Sequence, residues 1–238
     1  MRLALPPKVS VDLHETVQDY WHRRAAQHVL DSYHGVGMSK FPEDLRVYEH
    51  LLWQMQPDVV IELGTHLGGS ALWFADQLRG LAHYGGPPTP LVISIDLDTT
   101  VARHNLAALD ATYAERVMLI EGDVTDPTLP GRVEQVLPRD ARCFVVEDSA
   151  HTYVTTRAAL DGFARFVPPA GFFVVEDGCV DIEEMRTDRA WPRGVLPALN
   201  DWLQTDDGRA FSVRQDLEVY GVSCHPGGFL QRTRTPDR

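Results

Sequence analysis

The stretch Asp58-Val-Val-Ile-Glu-Leu-Gly-Thr-His-Leu-Gly-Gly-Ser70 restricts the architecture more than any other part of the chain. Residues 59–61 are β-branched at all three positions and too few for a helix, so they read as a buried strand. The strand ends in Glu62 and breaks into Gly64, Gly68 and Gly69. Residues 71–78 behind it have helical apolar spacing, and Ser70 is placed to cap that helix. Strand, glycine turn and helix in this order form the nucleotide-binding corner of a doubly wound α/β sheet. Glycines let the backbone approach a ligand closely, and a carboxylate at the strand end accepts hydrogen bonds from amines or hydroxyls.

The chain after this corner repeats the pattern. Strands are expected over 91–96, 117–123, 143–148 and 171–177, with helices over 101–109, 130–137 and 153–166 between them. Alternation of this length gives right-handed crossovers and a mostly parallel sheet. Residues 211–219 and 222–231 read as two further strands on an antiparallel edge, which makes seven. A helix is expected over 196–203, and residues 178–195, acidic and poor in core positions, read as a lid or substrate loop. Before the corner, residues 1–15 read as a loose arm, followed by helices over 16–32 and 45–55. The first of these helices carries a stripe of Val17, Tyr20, Trp21, Ala25, Val29 and Leu30. We therefore expect a single domain, with residues 1–57 as arm and helical cap and 58–238 as the α/β core.

Composition removes several function classes. With 34 acidic against 22 basic residues the net charge is −12, which disfavours nucleic acid. Arg232, Arg234 and Arg238 read as a solvated tail. No apolar run is long enough for a membrane helix and the N-terminus lacks the order of a signal peptide. Cys143, Cys179 and Cys224 are odd in number and widely spaced, which reads as buried free thiols in a reducing cytoplasm.

The corner does not read G-x-G-x-x-G, and Asp96 follows Glu62 by 34 residues rather than the usual ~20, so a dinucleotide is disfavoured. Its pattern, E-x-G-T-x-x-G-G-S, resembles motif I of class I S-adenosylmethionine (SAM) methyltransferases. There the acidic residue and the glycines hold the methionine end of the cofactor. Each of the five expected parallel strands ends at or near an acid: Glu62, Asp96, Asp123, Asp148, and Glu176 with Asp177. All those ends share one sheet edge, the edge where ligands bind. Such a concentration of negative charge requires cations or donors among it. SAM supplies donors for Asp96 and Asp123, with Asp98 a rival to Asp96 for the ribose. A hard divalent metal suits Asp148, Glu176 and Asp177, because oxygen ligands select Mg²⁺ or Ca²⁺. His151, three residues beyond Asp148, suits a general base. Six other histidines, among them His28 and His225, have no comparable setting in the sequence.

Over roughly residues 34–178 the chain resembles the cephalosporin hydroxylase/rhamnosyl O-methyltransferase group, which includes macrolide-sugar and rhamnose O-methyltransferases of antibiotic pathways. The resemblance rests on Gly35-Val-Gly with Lys40-Phe-Pro-Glu-Asp44, on residues 61–70, on Ile95-Asp-Leu-Asp98, on Gly122-Asp123, on Asp148-Ser-Ala-His151 and on Val175-Glu-Asp177. It implies Mg²⁺-assisted, SAM-dependent O-methylation of a hydroxyl on a sugar or other natural-product intermediate. It implies Asp148, Glu176 and Asp177 as metal ligands and His151 as base. Glu62, Gly64, Thr65, Gly68, Ser70, Asp96, Gly122 and Asp123 match the cofactor-holding positions. Hydroxylation is disfavoured, because a 2-His-1-carboxylate iron site would want an H-x-D or H-x-E pair and none occurs. Two alternatives stay open: a metal-independent N- or phenol O-methyltransferase, and a non-catalytic SAM-fold subunit. A homo-oligomer is expected, the helices before residue 58 being one surface for it, although their stripes serve a core equally well.

Overall fold

The structure, a computed structural model, describes residues 12–233. The arm expected over 1–15 falls mostly outside the described residues, as do Arg234 and Arg238. The corner strand, β3 (Val59–Leu63), is buried along its whole length and pairs in parallel with β4 (Leu91–Asp96) on one side and β6 (Cys143–Glu147) on the other. Two covered faces explain its unbroken apolar run. Val59, Ile61 and Leu63 join one core cluster and Val60 the other, as period-two alternation requires.

With β5 (Val117–Glu121), β7 (Phe172–Val175), β8 (Phe211–Val213) and β9 (Phe229–Arg232), the sheet has the order β5-β4-β3-β6-β7-β9-β8. Five strands run in parallel. β9 lies between β7 and β8 and is antiparallel to both. This is the class I SAM methyltransferase fold, as expected. The terminal strands are shorter than expected, because residues 214–228 leave the sheet. The chain turns through Gln215–Leu217, buries Leu217 against one face, and returns to the ligand edge at His225 before β9 begins.

Among the described residues, seven α-helices flank the sheet. α2 (Pro42–Met55) and α3 (Gly69–His83) cover one face, joined by Leu106 of α4 (Thr100–Leu109). α5 (Leu129–Val136), α6 (Tyr153–Phe163) and α7 (Val195–Trp202) cover the other, where Trp21 and Ala25 of α1 (Val17–His28) also pack. Helix α1 ends four residues before expectation, at a small antiparallel hairpin of β1 (Ser32–Tyr33) and β2 (Val36–Gly37). Val17, Val29 and Leu30, expected on its apolar stripe, are exposed. Thr16 caps α1 by accepting from the Asp19 amide. Ser70, expected as the cap of α3, lies inside its first turn. The cap is Gly68, whose φ of 92° favours glycine.

The chain steps outward from β3 to β5 and returns beside β3 at β6, so the strand order reverses between β3 and β6. That reversal opens a crevice at the carboxyl ends of the strands. Gly64 lines it with φ 110°, and a Cβ there would come within 1.9 Å of the Asp148 carbonyl oxygen. No other residue fits where these two strands part. Among the described residues no helix is long and apolar enough to cross a membrane.

Candidate active site

A cavity of about 750 Å³ opens over the strand ends. Its floor is made by Gly64, His66 and Leu67 after β3, residues 96–98 at β4, residues 122–124 after β5, residues 148–151 after β6, and Asp177 after β7. Its apolar wall comes from α1 (Trp21, Ala25, His28) and from the segment after β7 (Val180, Met185, Trp191, Pro192). That segment, expected as a lid or substrate loop, is held by its own core and hydrogen bonds. Cys179, Val180 and Arg186 are buried, and the Arg186 guanidinium donates to the carbonyls of Val180, Arg189 and Trp191. Trp21 Nε1 donates to the Met185 carbonyl at 2.6 Å, tying α1 to the same wall.

The expected cofactor residues divide into two sets. Gly64, Asp96, Gly122 and Asp123 line the cavity, and Asp98 lies there with them. Asp96 shapes the glycine turn: its Oδ2 accepts from the amides of Thr65 (2.9 Å) and His66 (2.8 Å) and its Oδ1 from Leu97. Asp98 Oδ1 accepts from the Thr100 amide, as a capping residue does. Glu62, Thr65, Gly68 and Ser70 are not on the lining; they support the turn from behind. Glu62 is fully buried, takes a 2.5 Å hydrogen bond from Ser94 Oγ on Oε2, and has no partner on Oε1. Burial pushes its carboxyl up to about 7, against the pull of Lys40. Ser94 Oγ also lies 2.6 Å from Thr65 Oγ1, so Glu62, Ser94 and Thr65 form one chain beneath the turn.

Beyond β6 and β7 the structure gathers Asp148, His151 and Asp177, with one ligand atom of each within 4.8 Å of the others. His151 adopts φ 54° in the loop before α6, which turns its ring toward β7. Its Nε2 lies 3.3 Å from Asp177 Oδ2 and its buried Nδ1 has no partner. Burial opposes the charged imidazole, but Asp177, Asp148, Glu147 and Glu176 outweigh it and raise its pKa. Asp177, at φ 57°, leaves the strand in a left-handed turn that aims its carboxylate at this group.

Glu176, expected as a third ligand, is placed elsewhere. Its oxygens accept from Lys40 Nζ at 2.7 and 2.8 Å, and Oε1 also accepts from the Tyr48 hydroxyl at 2.6 Å. Successive strand residues face opposite ways, and the turn at Asp177 comes one residue too late to bring Glu176 round. Lys40 Nζ also donates to Asp148 Oδ2 at 2.7 Å, so one buried ammonium joins the two acids. Burial opposes its charge, yet Asp148 and Glu176 hold its pKa well above the usual lysine range.

His225 and His28, which the sequence left without a setting, are both buried. His225 Nδ1 accepts from the Asp177 amide at 3.2 Å, and Nε2 faces Asp44 (3.6 Å) and Glu176 (3.8 Å). His28 stacks on Phe41, its Nδ1 2.5 Å from the Ala25 carbonyl, and burial lowers its pKa. Tyr48 and His225 have no local signal that could reveal their place here, and Lys40, although it opens a stretch that carries the resemblance, has none that reveals its partners. Lys40 meets Asp148 and Glu176 across 108 and 136 residues of chain.

Comparison with known proteins bears on the family and the fold. The family model described as rhamnosyl O-methyltransferase/CmcI matches residues 27–233. The rhamnosyl O-methyltransferase of Mycobacterium tuberculosis is 28% identical over 208 residues, covering 84% of this chain and 78% of its own length. That of Mycobacterium leprae is 26% identical over 147 residues, covering 60% and 58%. Among solved structures, the one described as "cmcI-D160 Mg-SAM" superposes with a TM-score of 0.59 at 22% identity, covering 96% of this chain and 89% of that one. MycE methyltransferase in complex with Mg, SAH and mycinamycin VI superposes with a TM-score of 0.51 at 18% identity, covering 80% and 49%. The chain belongs to the rhamnosyl O-methyltransferase/CmcI family.

Proposed function

We propose that this protein is a SAM-dependent, divalent-metal-assisted O-methyltransferase whose acceptor is a hydroxyl of a sugar carried on a larger natural product. The observation that carries the reading is the group Asp148, His151 and Asp177 on the floor of a cavity whose wall is apolar. The relatives' names supply the sugar, and Trp21, Met185 and Trp191 suit an apolar aglycone beside it. The widely spaced, buried free thiols of the three cysteines fit work in a reducing cytoplasm.

The residues present fit both implied groups. Gly64 and Gly122 let the backbone close on a cofactor, and Asp96, Asp98 and Asp123 face the cavity as acceptors for ribose hydroxyls and an adenine amine. Asp148 and Asp177 offer hard oxygens, the donor type that selects Mg²⁺. A divalent ion held there supplies Lewis acidity that makes a bound hydroxyl easier to deprotonate. His151 takes the hydroxyl proton, and Asp177, 3.3 Å from Nε2, stabilises the imidazolium that forms. SAM held by Gly64, Asp96, Gly122 and Asp123 would supply the methyl group to the deprotonated oxygen and leave as S-adenosylhomocysteine. Holding acceptor and donor in line contributes up to ~7–11 kcal/mol of the barrier. Val180, Met185, Trp191 and Pro192 give this side of the cavity an apolar lining.

The test is transfer of labelled methyl from SAM to a panel of rhamnosides, using chelator-treated protein with and without added Mg²⁺. Transfer restored by Mg²⁺ supports the reading. Transfer indifferent to chelator would favour the metal-independent alternative, and binding of SAM without transfer to any acceptor would favour the non-catalytic one.

A further inference from the structure

We propose that Asp177, Cys179 and Cys224 form a second metal site, one that takes a soft divalent ion such as Zn²⁺ or Cd²⁺. A carboxylate oxygen of Asp177 and the two sulfurs lie within 4.8 Å of one another, and all three residues line the cavity. Two thiolates bound tetrahedrally at about 2.3 Å from one zinc stand roughly 3.8 Å apart, and the two sulfurs here already lie within 4.8 Å of each other. The backbone is already fixed on both sides. The Cys179 amide donates to the Cys224 carbonyl at 3.1 Å, the Cys224 amide to Asp44 Oδ2 at 3.0 Å, and the Asp177 amide to His225 Nδ1 at 3.2 Å. Residues 45 positions apart in sequence are thus held ready as neighbours before any ion arrives.

Thiolates select Zn²⁺-like ions over Mg²⁺, whereas Asp148 and Asp177 alone select the reverse. Three protein ligands leave a fourth position facing the cavity, which also provides the route by which the ion reaches them. On binding, each thiol releases its proton to solvent and each sulfur forms one bond to the ion; no electron is transferred. Cys143 stands apart: it lies on β6 with its thiol toward the Ala141 carbonyl and does not line the cavity.

Asp177 is common to this site and to the group with His151 and Asp148, so a soft ion withdraws it from methyl transfer. That consequence, unlike the site itself, rests on the function proposed above. The experiment is titration of the reduced full-length protein with CdCl₂, followed by thiolate-to-cadmium charge-transfer absorption in the ultraviolet. We expect saturation at one Cd²⁺ per chain. The absorption is lost in C179S and C224S, and D177N, which keeps both thiols, binds more weakly by at least the roughly 10–100-fold that an outer-shell change costs. No absorption in the native protein overturns the site. So does absorption persisting in a C179S/C224S double variant that retains Cys143, or unchanged affinity in D177N. At fixed Mg²⁺, Zn²⁺ inhibits methyl transfer by the native protein and fails to inhibit C224S. Absorption with no methyl transfer under any condition counts against the proposed function and leaves the metal site standing.

Discussion

Glu176 and Asp177 are neighbours in sequence and differ in everything that matters for chemistry. Asp177 turns left-handed into the cavity, where it faces His151 and Asp148 with lone pairs to spare. Glu176 points the other way, into a closed set with Lys40, Tyr48, His225 and Asp44, where almost every acceptor is taken. The front group keeps unmet capacity and so can bind and react. The rear group is neutralised internally and so can hold the front group still. Lys40 links them through Asp148, which belongs to both.

The comparison breaks most visibly at His151. H151A removes the base we propose for the front group, and we expect turnover to fall by about 10²–10⁴ while SAM affinity is kept. Kinetics alongside calorimetric SAM binding would check this, and equal loss of both would move His151 from catalysis to structure. The rear group is tested through Lys40, which is 3% exposed. K40M leaves the buried Glu176 and the half-buried Asp148 without their cation, a change that costs about 3–5 kcal/mol in folding stability. Urea unfolding reads it, and a cost within error of zero would remove the ammonium from the account.

A third test sharpens the same contrast beneath the glycine turn. The Glu62 carboxyl is raised in the folded state from 4.5 to about 7. The native protein therefore holds a proton that the unfolded chain releases between those pH values. Its contribution is fully present below about pH 4.5 and is lost as pH rises through 7, a swing of roughly 3 kcal/mol. E62Q should flatten that part of the stability–pH curve, and an unchanged slope would contradict the assignment. The smallest effect is expected at Tyr48. Y48F removes one hydrogen bond to the Glu176 carboxylate and should cost about 1.5–3 kcal/mol, read as a shift in unfolding midpoint with SAM binding intact.

What the sequence made legible follows the same division. The parallel strands and the acids at their ends could be placed because each element carries its own apolar run and its own terminus, and the position of one strand end fixes the edge for all. His151 was legible because it stands three residues from Asp148 in the same loop. The sequence put Glu176 with Asp177 in one ligand set; which way Glu176 faces depends on where the chain turns, and Asp177, not Glu176, makes that turn. The partners of Lys40, Tyr48 and His225 could not be read for a different reason: each meets them across more than 45 residues, which no local pattern records. The terminal strands were read too long because Leu217, Val219, Tyr220 and Val222 give residues 214–228 scattered strand-forming positions, yet the segment leaves the sheet, burying Leu217 and bringing His225 to Asp177.

The central claim is that Asp148 and Asp177 hold a divalent ion beside a SAM-shaped cavity. A crystal grown with S-adenosylhomocysteine and Mn²⁺, measured at the manganese absorption edge, tests it most directly. The account predicts an anomalous peak touching oxygens of Asp148 and Asp177, with the adenosine lying along Asp96–Asp98 and Asp123. Nucleoside bound there with no peak between the two aspartates, or a peak elsewhere in the molecule, would contradict it.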